Sequence, residues 1–146
     1  MIADICSGIA VIGGEVSGIK TVFDPLPASV ESAHLPALWV FTGPSQQVEE
    51  LSGHLPITRR IFRVQIAVLP NGQSTPQERE IRCRPLIDAV WAQFRSYPFL
   101  GGVDFVHSSR PLSDSGIVIL PEFGGKFVGF ELRLEVEYIE PVTYKE

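Results

Sequence analysis

Apolar residues recur at spacings of three and four over the first dozen positions, where Ile2, Ile5, Ile9 and Ile12 mark one face of a short helix. Gly13-Gly14 is expected to stop it. So short a helix has little stability of its own, so its isoleucines must dock on a second layer. A short strand over 18–24 follows, ended by Asp24-Pro25 and Leu26-Pro27, because proline lacks an N–H and pushes the preceding residue toward extended geometry. After this proline-rich connector, Leu35-Pro36-Ala37 opens a second apolar strand, Leu38-Trp39-Val40-Phe41, which Thr42-Gly43-Pro44 is expected to close. Residues 43–57 are polar and aperiodic and read as a long loop; loops of that length in compact domains are often functional or mobile.

The period then becomes a clear two. Phe62, Val64, Ile66 and Val68 face one way while Arg59, Ile61, Arg63, Gln65 and Ala67 face the other, giving a strand over 58–69. Thr75-Pro76-Gln77-Glu78 starts a second helix: Thr75 caps, Pro76 suits the first helical position, and Glu78 completes a capping box. Ile87, Val90, Trp91 and Phe94 supply its apolar face, and Tyr97-Pro98 ends it. Pro85 removes the bond to Ile81 and is expected to kink or divide it. Strands are predicted over 103–108 and 116–120. In the last strand Val128, Phe130, Leu132, Leu134, Val136 and Tyr138 alternate with Glu131, Arg133, Glu135 and Glu137. The order α-β-β-β-α-β-β-β is solved most economically by an α+β fold: a single mostly antiparallel twisted sheet with two helices packed on one face and the opposite face left polar.

Composition narrows the class. At 146 residues the chain is expected to form one domain, 1–146, large enough to bury a core. With 45% apolar and 20% charged residues it is an ordinary globular sequence. A net charge of −5 argues against a nucleic-acid clamp, which needs a basic stripe, but not against passive contact with DNA in a channel. Cys6 and Cys83 fit no zinc or redox spacing and read as reduced structural thiols. Met-Ile-Ala-Asp-Ile-Cys at the start carries an acid and no basic segment, and the apolar runs are short, so the expectation is a soluble cytoplasmic product without signal or membrane span.

The search for chemistry mostly subtracts. Gly13-Gly14-Glu-Val-Ser-Gly18 lies between a helix and a strand, the reverse of the order a phosphate cradle needs. No serine has nucleophile-elbow context. Cys83 with His34, His54 or His107 would make a Cys/His dyad only if the fold assembled it, and a buried thiol on an amphipathic helix is the commoner case. The histidines fall in three segments with no ligating neighbour, so no metal and no cofactor is expected. What remains is a sheet face of both charge signs: Arg59, Arg60 and Arg63 on one long strand, Glu131, Glu135 and Glu137 on another. Opposite charges there pair either across neighbouring strands of one chain or across a subunit boundary, where they would fix register and reject wrong partners.

The motifs in order resemble a known family. A Gly18-Ile-Lys-Thr-Val-Phe-Asp24 strand, a proline-rich link, Leu35-Pro36-Ala37 with an apolar strand, a long strand after a polar loop, a helix ending in Tyr97-Pro98-Phe-Leu-Gly-Gly102, and the late Phe127-Val-Gly-Phe-Glu-Leu-Arg-Leu-Glu-Val136 strand together are similar to the tail-terminator and tail-completion proteins of tailed phages. The resemblance implies a non-enzymatic neck protein of the virion, assembled in the host cytoplasm. It implies a hexameric ring that caps the tail tube and joins it to the head connector or stopper protein, with DNA passing through the channel without specific binding and no membrane involved. The family brings no catalytic motif. On this reading Arg59, Arg63, Glu131, Arg133 and Glu135 are the candidate subunit-interface residues, and Gln46, Gln47, Glu49, Glu50 and His54 the candidate partner-contact loop. The alternatives are a small-molecule or peptide-binding α+β module and a Cys/His hydrolase.

Overall fold

In the computed structural model, which describes residues 1–48 and 56–140, two helices and six strands follow the order α-β-β-β-α-β-β-β. The elements are α1 (Ile2–Gly14), β1 (Thr21–Val22), β2 (Ala37–Val48), β3 (Ile57–Pro70), α2 (Pro76–Arg95), β4 (Val106–Asp114), β5 (Val118–Leu120) and β6 (Phe127–Ile139). The sheet runs β1-β2-β3-β6-β4, with every pair antiparallel except the short β1–β2 contact. β4 and β5 lie end to end along the same edge of β6, interrupted at Ser115–Ile117.

The alternation of β3 and β6 places Phe62, Val64 and Ile66 opposite Leu134, Leu132 and Phe130 on one sheet face. The helices pack there: Ile5, Ile9 and Ile12 from α1 and Cys83, Leu86, Val90 and Phe94 from α2 complete the main core. α1 ends at Gly14, within the glycine pair expected to stop it, and Gly13 lies in its last turn. A Cβ at Gly13 would stand 2.6 Å from Leu38 Cδ1, so the missing side chain lets the helix approach the sheet. Thr75 Oγ1 accepts from the Glu78 N–H at 3.2 Å, which starts α2 where the sequence places it. Pro85 does not divide α2. It sits on the exposed side of the helix, as does Ile81, so water reaches the carbonyl that Pro85 leaves unbonded.

Two further expectations are corrected. Residues 43–48 are not loop but the second half of β2, with Gln46 opposite Arg59 and Gln47 opposite Thr58. Gly43-Pro44 forms a bulge between Thr42 and Ser45 instead of a strand end. Gly43 lies against the Ile61 carbonyl too closely for a side chain, and a bulge tolerates the missing N–H of Pro44. Glu49, Glu50 and His54 fall outside the described residues.

The outer sheet face is also only half polar. Ala37, Trp39 and Ala67 on that face are covered by Val30 from the proline-rich connector and by Leu120 and Phe127, with Phe123 packed edge-on to Trp39 at 5.0 Å. The connector must cross this face because β1 and β2 are parallel, and a parallel pair cannot be joined by a tight turn.

Candidate interaction face

The uncovered half of the outer face is a charged ladder built by the β3–β6 register. Arg59 is opposite Glu137, Ile61 opposite Glu135, Arg63 opposite Arg133 and Gln65 opposite Glu131. Arg59 donates to Glu137 Oε1 through Nε at 3.0 Å and Nη2 at 2.8 Å. That hydrogen bond pushes the Arg59 pKa further up, outweighing the opposing effect of desolvation. Glu135 is 8% exposed and is held between Arg110 at 3.1 Å and Arg59 at 3.6 Å, the compensation a desolvated carboxylate needs.

Arg63 lies between Glu122 at 3.4 Å and Glu131 at 3.5 Å, with its guanidinium 4.8 Å from the centre of the Phe41 ring. Glu131 also accepts from Gln65 Nε2 at 3.0 Å, and Gln65 Oε1 accepts from Trp39 Nε1 at 2.8 Å. The chain of contacts thus ties the charged half of the face to the apolar half. Two shallow cavities flank the ladder. One, of about 220 Å³, is lined by Pro44, Gln46, Arg59, Ile61 and Glu135. The other, of about 180 Å³, is lined by Arg63, Gln65, Ser115, Glu122 and Glu131.

Of the five residues nominated from sequence as an interface, all lie on this one face. Arg59, Arg63, Glu131 and Glu135 are engaged within the chain, while Arg133 is exposed and has no salt-bridge partner among the described residues. Arg60 does not belong to the ladder. Its side chain goes to the opposite side, where Nη1 donates to the Gly43 carbonyl at 2.8 Å and Nε to the Tyr138 hydroxyl at 3.1 Å. Sequence reasoning placed Glu137 on the charged face without counting it among the interface residues, and did not nominate Arg110 or Glu122. Glu137 was legible from its alternation with Glu135, but Arg110 and Glu122 reach the ladder only through the β4–β6 register and the turn after β5.

The thiols stand apart from this face. Cys83 is fully buried beneath α2, and Cys6 is half-buried beside the Thr42 hydroxyl at 4.0 Å. Burial pushes both thiol pKa values up; the Thr42 contact partly opposes this at Cys6, and Arg82 does so at Cys83. His34 Nδ1 accepts from the Glu31 N–H at 3.1 Å in a local turn. Among the described residues, no group of three His, Cys, Asp or Glu side chains is placed to hold a metal ion. No described helix is long and apolar enough to cross a membrane. No protein-family model matches the chain, and no curated protein matches it.

Proposed function

We propose that this chain is a non-catalytic structural protein of a tailed-phage neck, of the tail-terminator or tail-completion kind. In this reading it forms a ring, most simply a hexamer, that caps the tail tube and joins it to the head connector. The observation that carries the reading is the element order, which follows the succession of motifs on which the resemblance rests. The charges of the ladder are mostly paired within the chain, and the exposed Arg133 among them is the group left to give selectivity to a contact between copies. The two cavities beside the ladder, of about 220 and 180 Å³, are smaller than typical small-molecule sites of roughly 300–1,000 Å³, which weighs against the ladder itself as a small-molecule site. Thiols with raised pKa values weigh against the hydrolase reading, because a cysteine nucleophile needs its thiolate stabilised.

A ring whose subunits each carry −5 would repel DNA phosphates and let the genome slide. The partners on this reading are further copies of the chain, the tail tube protein and the head connector or stopper, and the location is the virion neck. The test is native mass spectrometry of the purified protein with electron microscopy of its mixture with tail tubes. A closed ring seated at the end of each tube is the expected result. A monomer at every concentration that does not associate with tubes would overturn the proposal.

A further inference from the structure

Each cavity beside the ladder holds its own counter-charges, Arg59 with Glu135 in one and Arg63 with Glu122 and Glu131 in the other. A third cavity differs. It lies at the covered, apolar end of the outer face, between the proline-rich connector and the turn after β5, and has a volume of about 290 Å³. That is at the lower edge of the roughly 300–1,000 Å³ of small-molecule sites. Ala28, Ser29 and Val30 line it from the connector, and Phe123, Gly124 and Lys126 from the turn.

The walls are mostly apolar and held in place. Val30 is buried in the cluster with Trp39 and Phe127, and Phe123 packs edge-on to the Trp39 ring at 5.0 Å. The backbone at Lys126 is anchored by Asn71: the Lys126 carbonyl accepts from the Asn71 N–H at 2.7 Å, and the Gly125 carbonyl from Asn71 Nδ2 at 3.2 Å. The Lys126 side chain lies back along Gly124, with its Cε 3.9 Å from where a Cβ on Gly124 would stand. Its ammonium makes no salt bridge or hydrogen bond among the described residues. Glu31 and Glu122, the acids next to the two lining segments in sequence, leave it unmatched, and Glu122 is held by Arg63 at 3.4 Å.

The cavity therefore joins one unmatched positive charge to apolar walls, with the Ser29 hydroxyl as a second polar group. That combination selects a ligand class. Lys126 repels a cation, and a neutral apolar molecule leaves the ammonium unused. A phosphate brings more negative charge than one lysine matches. A carboxylate carries a single charge and accepts charge-assisted hydrogen bonds. We propose that this cavity binds a small apolar monocarboxylate, whose carboxylate accepts from Lys126 Nζ and Ser29 Oγ and whose body lies against Val30 and Phe123. The site is separate from the charged ladder, and its occupancy is independent of the ring reading.

The test is an amide NMR titration of the full chain with phenylpropionate, with uncharged phenylpropionamide as the control. Saturable shifts confined to the connector around Val30 and to the turn from Phe123 to Lys126 are expected at millimolar acid. The amide is expected to bind at least about tenfold more weakly, the equivalent of roughly 1.4 kcal/mol. Lys126→Met, which keeps the stem and removes the charge, is expected to lose as much. Ala28→Trp, which fills the cavity from an exposed position, is expected to abolish the shifts without touching Lys126. Melting curves of both variants are expected to match wild type; should one melt early, the other carries the test. Equal binding of acid and amide, or binding indifferent to both variants, overturns the proposal. So do shifts centred on the charged ladder, or no saturable shift at millimolar acid. A short peptide ending in a free phenylalanine carboxylate that saturates the cavity when phenylpropionate does not overturns it in favour of a polypeptide terminus as occupant.

Discussion

Arg63 on β3 and Arg133 on β6 stand directly opposite each other on the outer face of the sheet. Like charges in that relation oppose pairing, and the two arginines differ in how they are compensated. Arg63 is held between Glu122 and Glu131 over the Phe41 ring, whereas Arg133 is exposed without a salt-bridge partner among the described residues.

The two therefore respond in opposite directions to charge reversal. Arg133→Glu is expected to stabilise the monomer by about 0.2–1 kcal/mol, because a repulsive cross-strand pair becomes attractive. Arg63→Glu is expected to destabilise it by about 1–3 kcal/mol, because two partly buried carboxylates lose the cation between them. Chemical denaturation of both variants measures this. Equal losses in the two would show that the register does not govern these charges.

Gly13 tests how closely α1 rides on the sheet. Alanine is the better helix former by about 1 kcal/mol, but its Cβ would stand 2.6 Å from Leu38 Cδ1, a side chain buried in the core. Overpacking of that kind costs about 1–3 kcal/mol, so Gly13→Ala is expected to be net destabilising. Gly72 is the control, because an added methyl there would meet nothing within 4 Å, and Gly72→Ala should change stability by no more than about 0.5 kcal/mol. Urea midpoints of the pair decide it; a stabilised Gly13→Ala would mean the helix shifts outward freely.

Much of this fold is legible in the chain because β3 and β6 announce themselves. Phe62, Val64 and Ile66, and Leu132, Leu134 and Val136, alternate without interruption, and an amphipathic period of two survives any change of partner. Thr75 and Pro76 are equally local signals. The misreadings arise where a local signal has a tertiary answer. Gly43 and Pro44 look like a strand end, yet β3 carries β2 through a bulge. Trp39 falls on the face expected to be polar, and its cover comes from Val30 in the connector and Phe123 in the turn after β5, whose paths no periodicity encodes. The charges of the ladder were visible but their pairing was not, because Arg59–Glu137 and Arg63–Glu122 depend on register and on a turn whose path no periodicity encodes.

Pro85 is a site where stability can be added. It is exposed in the interior of α2, and its missing N–H leaves the Ile81 carbonyl without its helical partner. Proline is about 3 kcal/mol less favourable than alanine inside a helix, and it recovers roughly 0.4–1 kcal/mol by stiffening the unfolded chain. Pro85→Ala is accordingly expected to stabilise the protein by about 2 kcal/mol, to introduce a protected amide at residue 85 and to slow amide exchange at its neighbours in α2. A destabilised variant would show that Pro85 makes packing contacts its exposure does not suggest.

The two thiols set an alkaline limit on stability. Burial raises the folded-state pKa of Cys83 and of Cys6 above the ordinary thiol value of 9.0. Between the unfolded and folded values the unfolded chain has released protons that the folded chain still holds, so stability falls as pH rises. The contribution is therefore complete at neutral and acid pH. It declines as pH climbs above the unfolded thiol value, and is lost once the folded values are passed. Cys83→Ala, with the protein otherwise intact, should flatten this alkaline decline while costing about 1 kcal/mol of neutral-pH stability through the lost sulfur contacts. It should leave ring formation unchanged. In the native protein a thiol reagent should label half-buried Cys6 well before Cys83, whose modification must wait for opening of the core. Rapid labelling of Cys83 at neutral pH, together with loss of assembly in Cys83→Ala, would contradict the buried structural role and return weight to the hydrolase reading.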